Sequence, residues 1–318
     1  MKEKSAGKKA ISFANGAVNL AALTLILLLL AFAGYALWDS GQLYHAADKA
    51  QYAVYKPTAE NEGKTFGQLQ ALNAEVIAWL SVYGTNIDYP VTQAADNTKY
   101  VNTNAEGVYS LSGAIFLDCA NRSDFSDFNS ILYGHHMERK AMFGEIGTFA
   151  DKKVFDTHRY GNLYCGGKDY GIAFFAFVHC DAYDNTVFAA NVQEAARKDY
   201  LDDLLEKAAF QRDIGVTADD RIVLLSTCST GSTNGRDILI GRITDTTYAD
   251  PFANGQTSDP NAGTGADGRT GFFAVLPRWL PALLLVLAAL LPAAALVKRH
   301  KRKQRERRRQ DRWHGNMQ

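Results

Sequence analysis

Cys228 closes an apolar run and Arg236 opens the next, within LLSTCSTGSTNGRDILIGRI, residues 224–243. A free thiol is mostly protonated at neutral pH, so a nucleophilic cysteine needs a neighbour that takes its proton. An imidazole can do that and later protonate a leaving group. The oxyanion formed on attack at a carbonyl needs a fixed donor, and a guanidinium is always charged. The pair therefore lacks a histidine. Residues 39–278 offer His45, His135, His136, His158 and His179. His135 and His136 sit in SILYGHHM, where an apolar run meets Gly134. A glycine there bends the strand end and frees the next side chain. Adjacent strand residues face opposite ways, so only one of the two faces the thiol, and spacing leaves open which. His45 lies close to a membrane-side linker, and His158 and His179 lie in or near a hairpin. The competing structural reading makes Cys228 a small buried hydrophobe and Arg236 a surface charge. A thiol phosphatase needs Cys-x5-Arg around a phosphate-cradling loop. Here seven residues separate Cys228 from Arg236, without that glycine pattern. Hydrolysis by a cysteine protease is chemically closer.

The elements that must position these residues are short. TFGQLQALNAEVIAWLSVYG offers Thr65 as a helix cap, with Phe66, Leu69 and Leu72 at helical spacing. VIAWLSVYG, IDYPVTQ, GAIFLD, SILYGHHM, GNLYC, YGIAFFAFVH, DRIVLLSTC and DILIGRIT read as strands separated by turn residues. NVQEAARKDYLDDLLEKAAF, residues 191–210, reads as the one long amphipathic helix. Many short strands with few helices predict a mainly β barrel or sandwich decorated by helices.

The 318 residues carry 34 Lys+Arg and 34 Asp+Glu, a formal charge of zero that hides an asymmetry. Residues 298–312 hold ten Lys/Arg against two acidic residues (+8), and the first nine hold four Lys against one Glu (+3), so the remainder is −11. Basic ends on an acidic middle suggest segments facing different compartments. Residues 17–38 and 279–297 are apolar and long enough to span a bilayer, the second interrupted by Pro281 and Pro292. Lys and Arg flank the outer end of both, which places both termini in the cytoplasm and residues 39–278 outside the cell. AFA at 31–33 resembles a signal-peptidase site, but the apolar run exceeds a usual signal core and reads as an uncleaved anchor. Directly after a span, the basic tail serves as a topology anchor at an anionic leaflet, not as a nucleic-acid arm. The expected organisation is a basic N-terminus (1–16), an anchor (17–38), a membrane-proximal helix and linker (39–64), a barrel (65–244), a polar Gly-rich spacer (245–271), a second span (272–297) and a basic tail (298–318). An oxidising exterior permits disulfides among Cys119, Cys165, Cys180 and Cys228. A hairpin turning at Gly166-Gly167 would hold Cys165 and Cys180 roughly 30 Å apart, so those two are expected free of each other. No Cys/His spacing suggests a metal site.

YGHHM, then LSTC, then an arginine opening the next strand resemble the sortases, cysteine transpeptidases of Gram-positive surfaces. NAEVIAWLSVYGTNIDYPVTQAADNTKYV, GAIFLD, NSILYGHHMERKAMFGEI and DRIVLLSTCS resemble the class B branch, and the likeness runs from about Thr65 to Thr244. It implies a closed eight-stranded β-barrel with added helices, here flanked by N- and C-terminal transmembrane helices, with the site at one end of the barrel. It implies Cys228 as nucleophile and His135, directly after YG, as general acid/base. Arg236 is implied as the residue orienting substrate and stabilising the oxyanion, and Thr227 as a contact of the sorting peptide. His136 is then a neighbour, and Asp118 and Cys119 lie near the mouth without an assigned role. The implied substrates are secreted proteins bearing an LPxTG-like or NPxTx-like sorting signal. The implied acceptor is an amine of peptidoglycan or a pilin lysine, and no cofactor is implied. Three features depart from the family. Leu224 stands where the motif Thr-Leu-x-Thr-Cys has its first threonine. A second span is shared with pilus-building class C enzymes, whose Asp-Pro-aromatic lid precedes the barrel. Asp250-Pro251-Phe252 follows Arg236 and reads as linker. An apolar span with a basic tail also resembles a sorting signal, but VLPRW lacks its Thr-Gly. The non-enzymatic alternative is a barrel-shaped adhesin or assembly scaffold.

Overall fold

The computed structural model describes residues 3–58, 63–229 and 233–253. Helix α1 spans Glu3–Ala46, and its segment Phe13–Trp38 is the one helix among the described residues long and apolar enough to cross a membrane. The second expected span and the basic tail lie outside the described residues. Two short 3-10 turns lead to α2 (Lys64–Leu72). Its cap is Gly63 at φ 72°, not Thr65, which already stands inside the helix. The strands are β1 (Val76–Val82), β2 (Asp88–Thr92), β3 (Ile115–Leu117), β4 (Asn129–Tyr133), β5 (Tyr160–Cys165), β6 (Lys168–Asp181), β7 (Ala208–Gln211), β8 (Arg221–Cys228) and β9 (Gly235–Thr244). Helix α3 (Lys152–Thr157) precedes β5, and α4 (Arg197–Glu206) precedes β7.

The sheet order β5-β1-β2-β3-β4-β8-β9-β6 closes on itself because β5 pairs with β6 as well as with β1. Eight strands therefore make the expected barrel, and β7 adds a ninth, pairing with β6 at Ala176–Val178. The closing hairpin turns at Gly166 and Gly167, both at positive φ, the backbone that a two-residue hairpin demands. The expected helix over 191–210 is shorter. A 3-10 turn at Glu194–Ala196 leads into α4, and Ala208–Phe210 belong to β7. Helical spacing in that stretch is interrupted because the exposed edge of β6 offers Ala208 and Phe210 backbone partners that a helix end cannot.

Strand alternation sorts the side chains into two cores. Val223, Leu225, Leu239 and Phe177 pack in the barrel interior with Leu80 and Leu163. Ile222, Leu224, Ile238, Ile240 and Val178 face outwards, under Tyr200, Leu201 and Leu204 of α4 and Val187 of the preceding loop. With both faces covered, β8 is a near-continuous apolar run, as a buried strand should be. Residues just after β9 differ from the expected spacer. The ring of Tyr248 stacks on Tyr160 at 4.2 Å, and Phe252 stacks on His158 at 4.8 Å. These aromatic faces hold 248–252 against the barrel.

The departure at Leu224 has a packing reason: its side chain is fully buried in the outer core beneath α4. A threonine there would bury a hydroxyl among aliphatic groups. Leu224→Thr is expected to lower stability by roughly 1–3 kcal/mol, measured as a shift of the urea midpoint at unchanged slope. An unshifted midpoint would contradict the outer-core placement.

Candidate active site

β4 and β8 run parallel, with Tyr133 opposite Ser226. The tie continues beyond the strand: Gly134 N–H donates to the Ser226 carbonyl (3.2 Å), and the Thr227 hydroxyl donates to the Gly134 carbonyl (2.8 Å). Two residues past the Tyr133–Ser226 pair stand His135, just after β4, and Cys228, the last residue of β8. On the other side, Cys228 is the cross-strand partner of Arg236 in the antiparallel β8–β9 ladder. Histidine, cysteine and arginine thus stand at the ends of three adjacent strands, with the cysteine in the middle. Neighbouring strands are about 4.8 Å apart, and directly opposed residues share a face. Cys228 is exposed and carries a free thiol.

Gly134 has a different job from the bend that its position suggests. A Cβ there would lie 2.7 Å from the Phe143 ring, so glycine lets the loop after β4 fold back closely. Phe143 N–H donates to the His135 carbonyl (3.0 Å) and fixes the backbone of that residue. The imidazole Nε2 of His135 is 2.8 Å from the Val101 carbonyl. A carbonyl only accepts, so Nε2 carries the proton, and Nδ1 of the neutral ring is left to exchange one. The His136 backbone forms an isolated antiparallel bridge with Met142.

The other histidines are accounted for by geometry. Thr227, Asp237 and His179 form the next cross-strand row, on the face opposite to the row of Cys228, Arg236 and Cys180. His179 Nδ1 pairs with Asp237 Oδ1 at 2.8 Å inside the barrel mouth, away from the thiol. His158 Nδ1 contacts the Val154 carbonyl at 3.0 Å, and its ring is covered by Phe252. His45 lies at the end of α1.

Thr227 is buried, and its side chain belongs to the interior row, where it holds Gly134. The family likeness implies Thr227 as a contact of the sorting peptide; the hydrogen bond its hydroxyl makes here is to Gly134. Asp118 is buried and its Oδ2 accepts from the Tyr133 hydroxyl (2.9 Å) and from Asn97 (2.9 Å). Burial and the Asp118 carboxylate push the Tyr133 phenol well above its ordinary pKa, so it stays a donor. Its ring stacks on Phe188 at 6.3 Å, and together they wall the site beside β4. Tyr133 was visible in YGHHM. Its partners Asp118 and Phe188 are distant in sequence and gave no local signal.

Arg236 is also the cross-strand neighbour of Cys180. The Cys180 thiol is nonetheless pushed up to about 11, by burial first and by Asp184 second. Burial does the same to Cys165. All four cysteines are free, including the pair expected to be too far apart to bridge. Iodoacetamide should therefore modify Cys165 and Cys180 slowest, and Cys228 faster than the equally exposed Cys119. Arg236→Ala should slow Cys228 roughly tenfold while sparing Cys119, because of these two exposed thiols only that of Cys228 has the guanidinium as its cross-strand partner. Equal rates at Cys228 and Cys119, read by peptide mass spectrometry, would contradict an activated thiol.

No protein-family model matches the chain. Sortase B of Listeria monocytogenes is 30% identical over 203 residues, covering 61% of this chain and 81% of that protein. The crystal structure of sortase B from the type II pilus of Streptococcus pneumoniae is 47% identical with a TM-score of 0.51, covering 57% of this chain and 99% of that one. A Streptococcus pyogenes class B sortase involved in pilus biogenesis is 39% identical with a TM-score of 0.53, covering 57% and 99%.

Proposed function

Because the chain belongs to the sortase B family, whose members are cysteine transpeptidases, we propose that Cys228, His135 and Arg236 carry that reaction here. What supports this reading is that β8 pairs with β4 on one side and β9 on the other, with His135 just after β4, Arg236 opposite Cys228, and the thiol exposed. The Cys228 thiol passes its proton to Nδ1 of His135 as Sγ attacks the carbonyl that follows the threonine of a sorting signal on a secreted protein. Arg236 stabilises the oxyanion on the side away from His135. As the tetrahedral species collapses, the peptide C–N bond breaks and His135 gives its proton to the departing amine, leaving a thioacyl-enzyme. An incoming amine then attacks that carbon, the C–S bond breaks, and the proton lost by the amine returns through His135 to Sγ. The Thr227 hydroxyl serves by holding Gly134, hence the height of His135 against Cys228.

In this reading Phe13–Trp38 of α1 anchors the enzyme in the cell membrane, and the barrel acts on the outer side. The span at 279–297 makes it two-pass, with basic cytoplasmic ends. Two acceptors fit the chemistry, a peptidoglycan amine and a pilin lysine. The pilin lysine is favoured by one observation: identity to the two pilus sortases, 47% and 39%, exceeds the 30% shared with the Listeria enzyme.

Incubation of the full chain with sorting-motif peptides should give a thioacyl adduct on Cys228 by mass spectrometry, and an amide product when an amine is added. Cys228→Ala should abolish both. Turnover retained by that variant, or only hydrolysis at every amine concentration, would defeat the transpeptidase assignment. Thr227→Val removes one hydrogen bond, so thioacyl formation should slow roughly fivefold to tenfold with the peptide KM little changed. A raised KM at unchanged kcat would return Thr227 to the peptide.

A further inference from the structure

A cleft of about 310 Å³ opens beside His135, lined by Tyr44, Leu111, His135, His136, Met137 and Glu138. Three separate stretches build it: the end of α1, the loop before β3 and the loop after β4. The Tyr44 hydroxyl donates to Glu138 Oε2 at 3.2 Å, and the Arg139 guanidinium lies 4.1 Å over the Tyr44 ring. One helical turn further on, the buried Ala47 gives its carbonyl to the Tyr89 hydroxyl (2.9 Å), whose oxygen accepts from Met142 N–H (3.1 Å). The end of α1 is thereby fastened to both sides of the loop that follows His135. Tyr44 is a built wall of the cleft.

We propose that this cleft receives the acceptor as a primary alkylammonium. The Glu138 carboxylate holds the ammonium, and the methylene stem lies along Leu111, Met137 and the Tyr44 ring. The inference rests on the transpeptidase reading above and deepens it. An acceptor has to reach the thioacyl carbon from a side where His135 can take its proton, and this cleft includes His135 itself. A carboxylate among apolar groups fits a charged head on an aliphatic stem, which buries its methylenes and keeps its charge paired. An ionised carboxylate has about four acceptor positions, and Tyr44 occupies one of them. In the step itself the ammonium first loses one proton to water. The free amine then forms the C–N bond as the C–S bond breaks, and its second proton passes through His135 to Sγ.

The test uses the full chain in detergent micelles, first acylated with a sorting peptide. Its thioacyl form is divided between two nucleophiles: Nα-acetyl-lysine amide, whose side chain is cationic, and hydroxylamine, which is uncharged at neutral pH. The readout is the ratio of the two product rates within each variant, so a general loss of folding or acylation cancels. Glu138→Gln should lower the lysine-to-hydroxylamine ratio roughly fivefold, the scale of a solvent-accessible ion pair. Tyr44→Ala should lower it in the same direction. Added salt should lower the ratio of the parent enzyme and leave that of Glu138→Gln nearly flat. A ratio unchanged by both substitutions overturns the proposal. Failure of the parent enzyme to form any thioacyl adduct would instead overturn the transpeptidase reading. A peptidoglycan stem peptide and a folded pilin can both present this ammonium. The one that reacts faster identifies the source, and its rate must show the same dependence on Glu138; a fast acceptor indifferent to Glu138 also overturns the proposal.

Discussion

The parallel pairing of β4 with β8 is the constraint on which the site depends. Side chains on a strand alternate with a period of two, so a slip of one residue would exchange every face of β8. Cys228 would then turn into the barrel, and Thr227 would take its place outside. The register is held by mass as well as by hydrogen bonds. Val223 and Leu225 fill the interior while Ile222 and Leu224 fill the outer core, all four fully buried. Each such side chain contributes about 1.5–3 kcal/mol by leaving water. A slip would keep the apolar character of both faces but not their shapes, and would place the Thr227 hydroxyl out of reach of Gly134. Parallel strands also require a long crossover. The chain between β4 and β8 supplies α3, the β5–β6 hairpin, α4 and β7, so the pairing that aligns the site also closes the barrel.

The thiol emerges where the outer core ends. Along β8 the outward side chains run Ile222, Leu224, Ser226 and Cys228, from fully buried to exposed. α4 and the loop before it cover the first part and stop short of the last. That loop is stitched down by Asn129, whose Nδ2 donates to the Ala189 carbonyl and the Tyr200 hydroxyl, and by Lys207 pairing with Asp184. The same loop supplies Phe188, the ring that stacks on Tyr133 beside the site. One piece of chain thus seals the outer core and stacks on the tyrosine at the end of β4.

Much of this could be read from residues alone, wherever the cause is local. The apolar runs became strands, the Gly166-Gly167 hairpin turned where two glycines permit it, and Cys165 and Cys180 stayed free. The thiol–guanidinium pair was legible because both residues sit at strand ends facing a short turn. Choosing His135 over His136 was not a local matter. It needed the family likeness, and the structure adds the register and the Val101 carbonyl, a backbone group 34 positions away that leaves no mark in side-chain spacing. The helix is shorter than the spacing over 191–210 predicts because the β6 edge that captures Ala208–Phe210 lies some 30 positions upstream in the chain. The helix cap is Gly63, not Thr65, and the Tyr164 hydroxyl of β5 leaves no room for a side chain at position 63. Phe252 was read as linker because its partner, His158, comes from the far side of the chain. In each case the missing information was a tertiary partner.

The loop after His135 shows what such partners maintain. Arg139, Lys140 and Met142 all adopt left-handed backbone at φ 57°, 61° and 52°. For residues with a Cβ each costs on the order of 1–2 kcal/mol. The loop keeps this shape because Met142 N–H is bound by Tyr89, Phe143 N–H by the His135 carbonyl, and the Lys140 ammonium by the buried Glu145 at 3.4 Å. Burial pushes the Tyr89 phenol up to about 12, so its hydroxyl remains a donor to Ala47 while its oxygen accepts from Met142. Strain beside His135 is thus balanced through a buried tyrosine against the end of α1. If α1 is the membrane anchor, the element that tethers the enzyme also bears on the loop that positions its histidine, and its Tyr44 stands in the cleft where the second substrate would enter.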